Sequence, residues 1–202
     1  MKRDNSTYQK KVMLRRTMLE LAEGMDLAPV VMETHGGMGK IFSACYRTVS
    51  DGVVIEKKPE RAAFLARQRP AWFVYEADCV EALRAGVGGV LPVNVLDVDP
   101  YGDPWPTIEA FFGSDRDWPA TMFVVVNDGL RQGIRMGRAW GVESLRGVVE
   151  RYGNDLHDVY LDVCRELMSE KAGLAGYDVD RWAGYYCGHQ DQMTHYLAVL
   201  TR

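Results

Sequence analysis

Apolar residues recur along the chain with two alternating periods. From Ser6 to Gly24 the spacing is helical: Leu14, Met18, Leu21 and Ala22 repeat on one face, with Ser6 or Thr7 as a candidate N-cap and Gly24 as a stop. Ala28 to Met32 is a short apolar, β-branched run, the pattern of a buried strand. A Gly-rich segment follows, and then a helix is expected from Lys40 to about Thr48. The alternation then repeats. Strands are expected at Gly52–Ile55, Trp72–Tyr75, Val93–Val98 and Thr121–Val126, and helices at Pro59–Arg69, Cys79–Ala85 and Pro106–Phe112. Helices dominate from Gly141 to Ala172. Two last strands, Trp182–Cys187 and His195–Leu200, stand close enough in sequence to pair antiparallel. Strands alternating with helices predict an α/β fold, a doubly wound and mostly parallel sheet covered on both faces.

Composition narrows the class. The chain has 202 residues, 47% apolar and 26% charged, the balance of a globular protein. No linker or repeat divides it, so the pattern predicts a helical extension over 1–27 and one α/β domain over 28–202. The formal net charge is −4, which argues against a uniformly basic nucleic-acid binder but leaves room for local patches. No apolar run approaches the ~20 residues of a membrane span, and the charged start of the chain lacks a signal-peptide core, so a cytoplasmic protein with no membrane partner is expected. Cys45, Cys79, Cys164 and Cys187 lie far apart, with no Cys-x-x-Cys and no close Cys/His pairing, so no metal site is expected.

In a doubly wound sheet, ligands bind outside the carboxyl ends of the strands. After the first strand stands Glu33-Thr34-His35-Gly36-Gly37-Met38-Gly39-Lys40, where three glycines in four positions let backbone approach a ligand. A phosphate-binding P-loop is excluded, because Ile41 follows Lys40 and no Gly stands at position 34. After the second strand comes Glu56, placed to accept hydrogen bonds from both hydroxyls of a ribose. After the third comes Asp78. After the fourth comes Asp97-Val98-Asp99-Pro100-Tyr101-Gly102-Asp103-Pro104, which gathers a carboxylate, a free carbonyl and a flat ring. Glu33, Glu56, Asp78 and Asp99 are spaced 23, 22 and 21 positions apart, one strand–helix unit each. All four are therefore expected at one edge of the sheet.

With these motifs the chain resembles the class I, S-adenosylmethionine-dependent methyltransferases, from about Val30 to Arg202. The resemblance implies a seven-stranded sheet with an antiparallel C-terminal strand. It also implies a cofactor loop of Glu33, His35, Gly36, Gly37 and Gly39, in which His35 takes the place of the family's first glycine. Glu56, with Lys57, would hold the ribose, and Asp78, with Cys79, the adenine. Asp99, Pro100 and Tyr101 resemble the Asp/Asn-Pro-Pro-Tyr/Phe element of enzymes that methylate exocyclic base amines, with Asp99 also beside the cofactor. The longer string is similar to that of transfer-RNA guanine-N2 methyltransferases, although this chain has no additional RNA-binding region of comparable size. The implied partner is DNA or RNA.

Basic residues bear on that partner. Lys2, Arg3, Lys10, Lys11, Arg15 and Arg16 concentrate near the start, and Arg131, Arg135 and Arg138 recur at i, i+4 and i+7, one helix face just after the fifth strand. Such patches could follow a phosphate backbone. Three alternatives stay open: a small-molecule methyltransferase, a non-catalytic cofactor- or nucleic-acid-binding module, and a nicotinamide enzyme. The last lacks its Gly-x-Gly-x-x-Gly fingerprint.

Overall fold

The structure, a computed structural model, describes residues 6–202. Helix α1 (Ser6–Gly24) comes first, and Ser6 and Thr7, the expected cap residues, already lie within it. The sheet then builds in order: β1 (Val30–Glu33), β2 (Asp51–Glu56), β3 (Phe73–Glu76), β4 (Val95–Val98), β5 (Thr121–Asp128), β6 (Asp178–Cys187) and β7 (Met193–Thr201). Between them lie α2 (Pro59–Gln68), α3 (Cys79–Arg84), α4 (Trp105–Phe112), α5 (Leu130–Arg135), α6 (Arg146–Tyr152) and α7 (Leu156–Gly173). The strand order is β3-β2-β1-β4-β5-β7-β6. β1 to β5 run parallel, while β7 is antiparallel to both β5 and β6. The order reverses between β1 and β4, which makes their carboxyl ends the switch point where such sheets open a crevice.

The central strands are buried on both faces, as their unbroken apolar runs require. On one face Val31, Val95, Phe123, Val125, Leu197 and Val199 pack against α1 and α2. On the other, Met32, Leu96, Val124, Val126 and Leu200 pack against α3, α4 and α7. Helix α1 belongs to the core: Val12, Leu14 and Met18 are buried, and full burial of such a side chain contributes roughly 1.5–3 kcal/mol.

Two expectations change. The helix expected from Lys40 to Thr48 is only a wide helical turn over Phe42–Tyr46. It delivers Tyr46, fully buried, to a carboxylate on β4. The strand expected to end at Val126 runs on through Asn127 and Asp128, because both pair with β7, opposite His195 and Thr194.

Candidate functional site

The carboxyl edge of the sheet gathers the acids, and each arrives with partners. Glu33 ends β1 and forms a buried ion pair with Arg69, just past α2. Burial raises the Glu33 carboxyl, outweighing the opposing Arg69 guanidinium. Arg69 itself lies flat on Phe42, 4.2 Å from the ring centre.

The glycine turn that follows is shaped by its own packing. A Cβ on Gly36 would stand 2.4 Å from Val54 Cγ2 and 2.6 Å from Leu65 Cδ1. Gly39 has φ +66, and its Cβ would collide with Gln68. His35 spans the crevice mouth: Nδ1 meets Thr34 Oγ1 at 2.9 Å and Nε2 meets Cys79 Sγ at 3.4 Å. Burial lowers the pKa of this imidazole, against the pull of Asp99, Glu56 and Asp78 nearby.

Glu56 ends β2 and accepts hydrogen bonds from the backbone N–H of Gly37 at 2.8 Å and of Lys58 at 2.9 Å. The carboxylate thereby fixes the glycine turn, and each of its oxygens keeps a further lone pair. Asp78 caps α3 by accepting from Val80 N at 3.0 Å, and Lys57 reaches it at 3.2 Å. Burial would raise the Asp78 carboxyl, but Lys57 and the cap hydrogen bonds hold it below the usual range. The Cys79 thiol, pushed up by burial, sits between His35 and Thr107.

β4 contributes two acids, not one. Asp97 is buried and binds Arg15 of α1 through both carboxylate oxygens; Tyr46 donates to it at 2.7 Å. Burial opposes the Arg15 charge, but Asp97 outweighs it and keeps the guanidinium protonated. Asp99 follows, with Lys11 Nζ at 2.6 Å. Burial would raise the Asp99 carboxyl, but Lys11 and Arg15 hold it below the usual range. Pro100 is half-buried and Tyr101 is fully exposed, its ring touching no partner. The loop is braced behind them. Gly129 N donates to Gly102 O at 3.0 Å, and Asp103 caps the start of α4.

The expected arginine stripe does not form. Helix α5 stops at Arg135, and Gly137 adopts φ +68, so Arg138 leaves the helical face. Arg131 turns inward, 3.6 Å from the Tyr186 ring centre. Only Arg135 and Arg138 of the three are exposed. The amino-terminal patch is also drawn inward at Lys11 and Arg15; Lys2 and Arg3 lie outside the described residues. His195 is buried and neutral, its pKa pushed down to about 3 by burial and nearby cations. His157 pairs with Asp158, and His189 is exposed.

A cleft of about 550 Å³ lies elsewhere. Its lining includes Ala28, Pro29, Val49 and Ser50, which precede β1 and β2, so it opens at the opposite, amino edge of the sheet. No group of three or more metal-ligating side chains occurs among the described residues, and no helix there is long and apolar enough to cross a membrane.

No protein-family model and no curated protein matches the chain. Solved structures do. Trm1 from Pyrococcus horikoshii, in complex with S-adenosyl-L-methionine, is similar at a TM-score of 0.68 and 11% identity, over 95% of this chain. The chain spans only 55% of that structure's length. TYW2 from M. jannaschii, in complex with AdoMet, gives 0.59 at 12% identity, over 100% of this chain and 78% of that one. The plantazolicin methyltransferase BpumL gives 0.59 at 9% identity, over 95% and 84%. This is the class I methyltransferase fold. In the class I methyltransferase frame, the four acids expected at one edge do stand there, at the carboxyl ends of β1 to β4. Sequence reasoning missed the inward roles of Arg15, Tyr46 and Arg69. A signal existed for the first: Lys11 and Arg15 share the helical face of Leu14 and Met18, where a cation is out of place unless an acid waits beneath it.

Proposed function

We propose that the chain is an S-adenosylmethionine-dependent methyltransferase that N-methylates an exocyclic amino group of a base in DNA or RNA. The observation that carries it is the row of acids Glu33, Glu56, Asp78 and Asp99 at successive strand ends of a class I methyltransferase fold. The donor set suits the cofactor. Glu56 is a buried acceptor fixed by two backbone N–H groups, with lone pairs left for ribose hydroxyls. Asp78, one strand further on, is the acceptor offered to the adenine amine in this reading. The similar structures Trm1 and TYW2 hold S-adenosylmethionine, and BpumL is a methyltransferase.

The cofactor, when bound, supplies an electrophilic methyl group on a sulfonium. The chain must hold the acceptor nitrogen in line with it. An exocyclic amine is conjugated with its ring and donates poorly. Hydrogen bonds from its protons to the Asp99 carboxylate and the Pro100 carbonyl raise the electron density on nitrogen. Tyr101, free at the rim, stacks on the base and sets its angle. The amine is neutral before transfer, and the proton that the methylated nitrogen then sheds passes to the Asp99 carboxylate or to solvent.

A second reading, a small-molecule acceptor, is favoured by the cations drawn inward: Lys11, Arg15 and Arg131 serve internal partners rather than a phosphate-binding face.

Calorimetric titration with S-adenosylmethionine and, separately, with NAD tests the cofactor. Binding of the first alone is expected. Glu56→Ala is expected to weaken it at least tenfold, since a hydrogen bond to a charged group contributes roughly 1.5–3 kcal/mol. Unchanged affinity removes Glu56 from the ribose site. Labelled methyl transfer to single-stranded DNA and to tRNA then separates the polymers from a small-molecule acceptor.

A further inference from the structure

Two polar groups meet at the carboxyl ends of β4 and β5, and one of them is left short of partners. Val98 lies opposite Val126, and one further step in the same register brings Asp99 beside Asn127. Asn127 is fully buried; its amide nitrogen makes no regular hydrogen bond but lies near enough to Asp99 to help hold that carboxyl below the usual range, and its amide oxygen has no partner among the described residues. Such orphaned amides are rare in an interior and call for an account. On its open side Asp99 holds an amine already, the Nζ of Lys11 at 2.6 Å. The two side chains keep 20% and 25% of their exposure, so the pair can open to solvent. The neighbours are committed elsewhere. Arg15 serves Asp97, His195 across the strand is neutral, and Lys10 lies 5.5 Å above the Tyr185 ring.

We propose that Asp99 and Asn127 form a seat for an amino group, which Lys11 fills until the methyl acceptor enters. The chemistry fits an amine closely. One N–H goes to the Asp99 carboxylate and the second is shared by the Pro100 and Asn127 carbonyls, which leaves the nitrogen lone pair free. A ligand without N–H protons leaves the Asp99 carboxylate and the Asn127 carbonyl unpaired. Asn127 is thus a second contact to the acceptor amine, and Lys11 is its stand-in. The link to methyl transfer rests on the methyltransferase reading above, whereas the seat itself is testable with no cofactor present.

The test is chemical rescue. Lys11→Ala removes the resident amine and leaves its space. Ethylammonium is expected to raise the unfolding midpoint of this variant by about 2–4 °C near saturation, with tetramethylammonium and sodium at equal ionic strength giving no rise. Adding Asn127→Leu is expected to abolish the rescue. Should that double variant fail to fold, the Asn127 side-chain amide resonances in Lys11→Ala supply the readout: they shift with ethylammonium and not with tetramethylammonium. Deoxyadenosine or deoxycytidine in place of ethylammonium tells a flat base amine from an alkyl amine as occupant. Equal effects of all three salts, or rescue that survives loss of Asn127, overturn the seat. Rescue without S-adenosylmethionine binding keeps the seat and sinks the methyltransferase reading; the reverse result sinks the seat alone.

Discussion

The carboxyl edge of the sheet buries acid on both faces, and the two faces solve the problem differently. Beneath α1, three acids each meet a cation: Glu33 with Arg69, Asp97 with Arg15, Asp99 with Lys11. On the opposite face, Asp128 meets no cation among its partners. It accepts from Leu130 N at 2.7 Å and from Tyr160 OH at 2.8 Å, with Cys164 beside it. The consequence is a difference in charge state. Asp99 is held below the usual carboxylate range by Lys11 and Arg15, whereas burial pushes Asp128 up to about 7. At Asp99 the counter-charges offset the loss of water; at Asp128 the neutral donors do not, and at Glu33 burial outweighs even the Arg69 guanidinium. One face is thus an ionic row next to the site proposed to hold an amine. The other is a protonatable carboxyl in the core behind it.

The largest effect is expected from breaking the ionic row. Arg15→Met leaves the Asp97 carboxylate buried without its cation, and stranding one member of a buried pair costs roughly 3–5 kcal/mol. Urea unfolding reads this as a lowered midpoint at unchanged slope. Asp97→Asn in the same background is expected to recover most of the loss, because a neutral amide needs no counter-ion. A cost below about 1 kcal/mol for the single variant means the row is not what holds α1 to the sheet.

The middle effect comes from the other face and has a sign. The folded pKa of Asp128, about 7, lies above the unfolded value near 4, so the folded state binds the extra proton between them. The contribution of this group is therefore complete below about pH 4 and is lost as pH rises through about 7. Asp99, with its pKa lowered, works the other way: its contribution is present above the unfolded pKa and is lost as pH falls through the folded one. Asp128→Asn is expected to flatten the stability profile between pH 5 and 8 and to gain roughly 2–4 kcal/mol at pH 8. A profile that keeps its slope in Asp128→Asn removes Asp128 as its source and erases the contrast between the faces.

The contrast also marks what the sequence could tell. The succession of strands and helices and the edge that carries the acids follow from local periods and one-unit spacing, both of which are written within short windows. The partners are not local. Arg69 lies 36 residues from Glu33, Arg15 lies 82 from Asp97 and Lys11 lies 88 from Asp99. A window shows at most that Lys11 and Arg15 share the apolar face of their helix, not which acids they meet, so they read as a basic patch when they are the counter-charges of the site. The arginine stripe after β5 failed for a local reason that was legible: Gly133 and Gly137 interrupt the run, and the helix stops after six residues. The fifth strand outruns its expected end at Val126 because pairing with β7 overrides the turn propensity of Asn127-Asp128-Gly129.

The smallest effect separates stability from function at the rim. Tyr101 is fully exposed and its ring packs on nothing, so Tyr101→Ala is expected to change folding stability by less than about 0.5 kcal/mol. If the ring stacks on a base, the same change weakens binding of a single-stranded oligonucleotide by the roughly 1–3 kcal/mol typical of one base–aromatic contact, while S-adenosylmethionine affinity stays as it was. Fluorescence anisotropy with a labelled oligonucleotide measures the first and calorimetry the second. Equal oligonucleotide affinity in both proteins would leave an exposed aromatic with no partner in the nucleic-acid reading. It would favour a small acceptor that enters past Tyr101 and meets only Asp99 and the groups behind it.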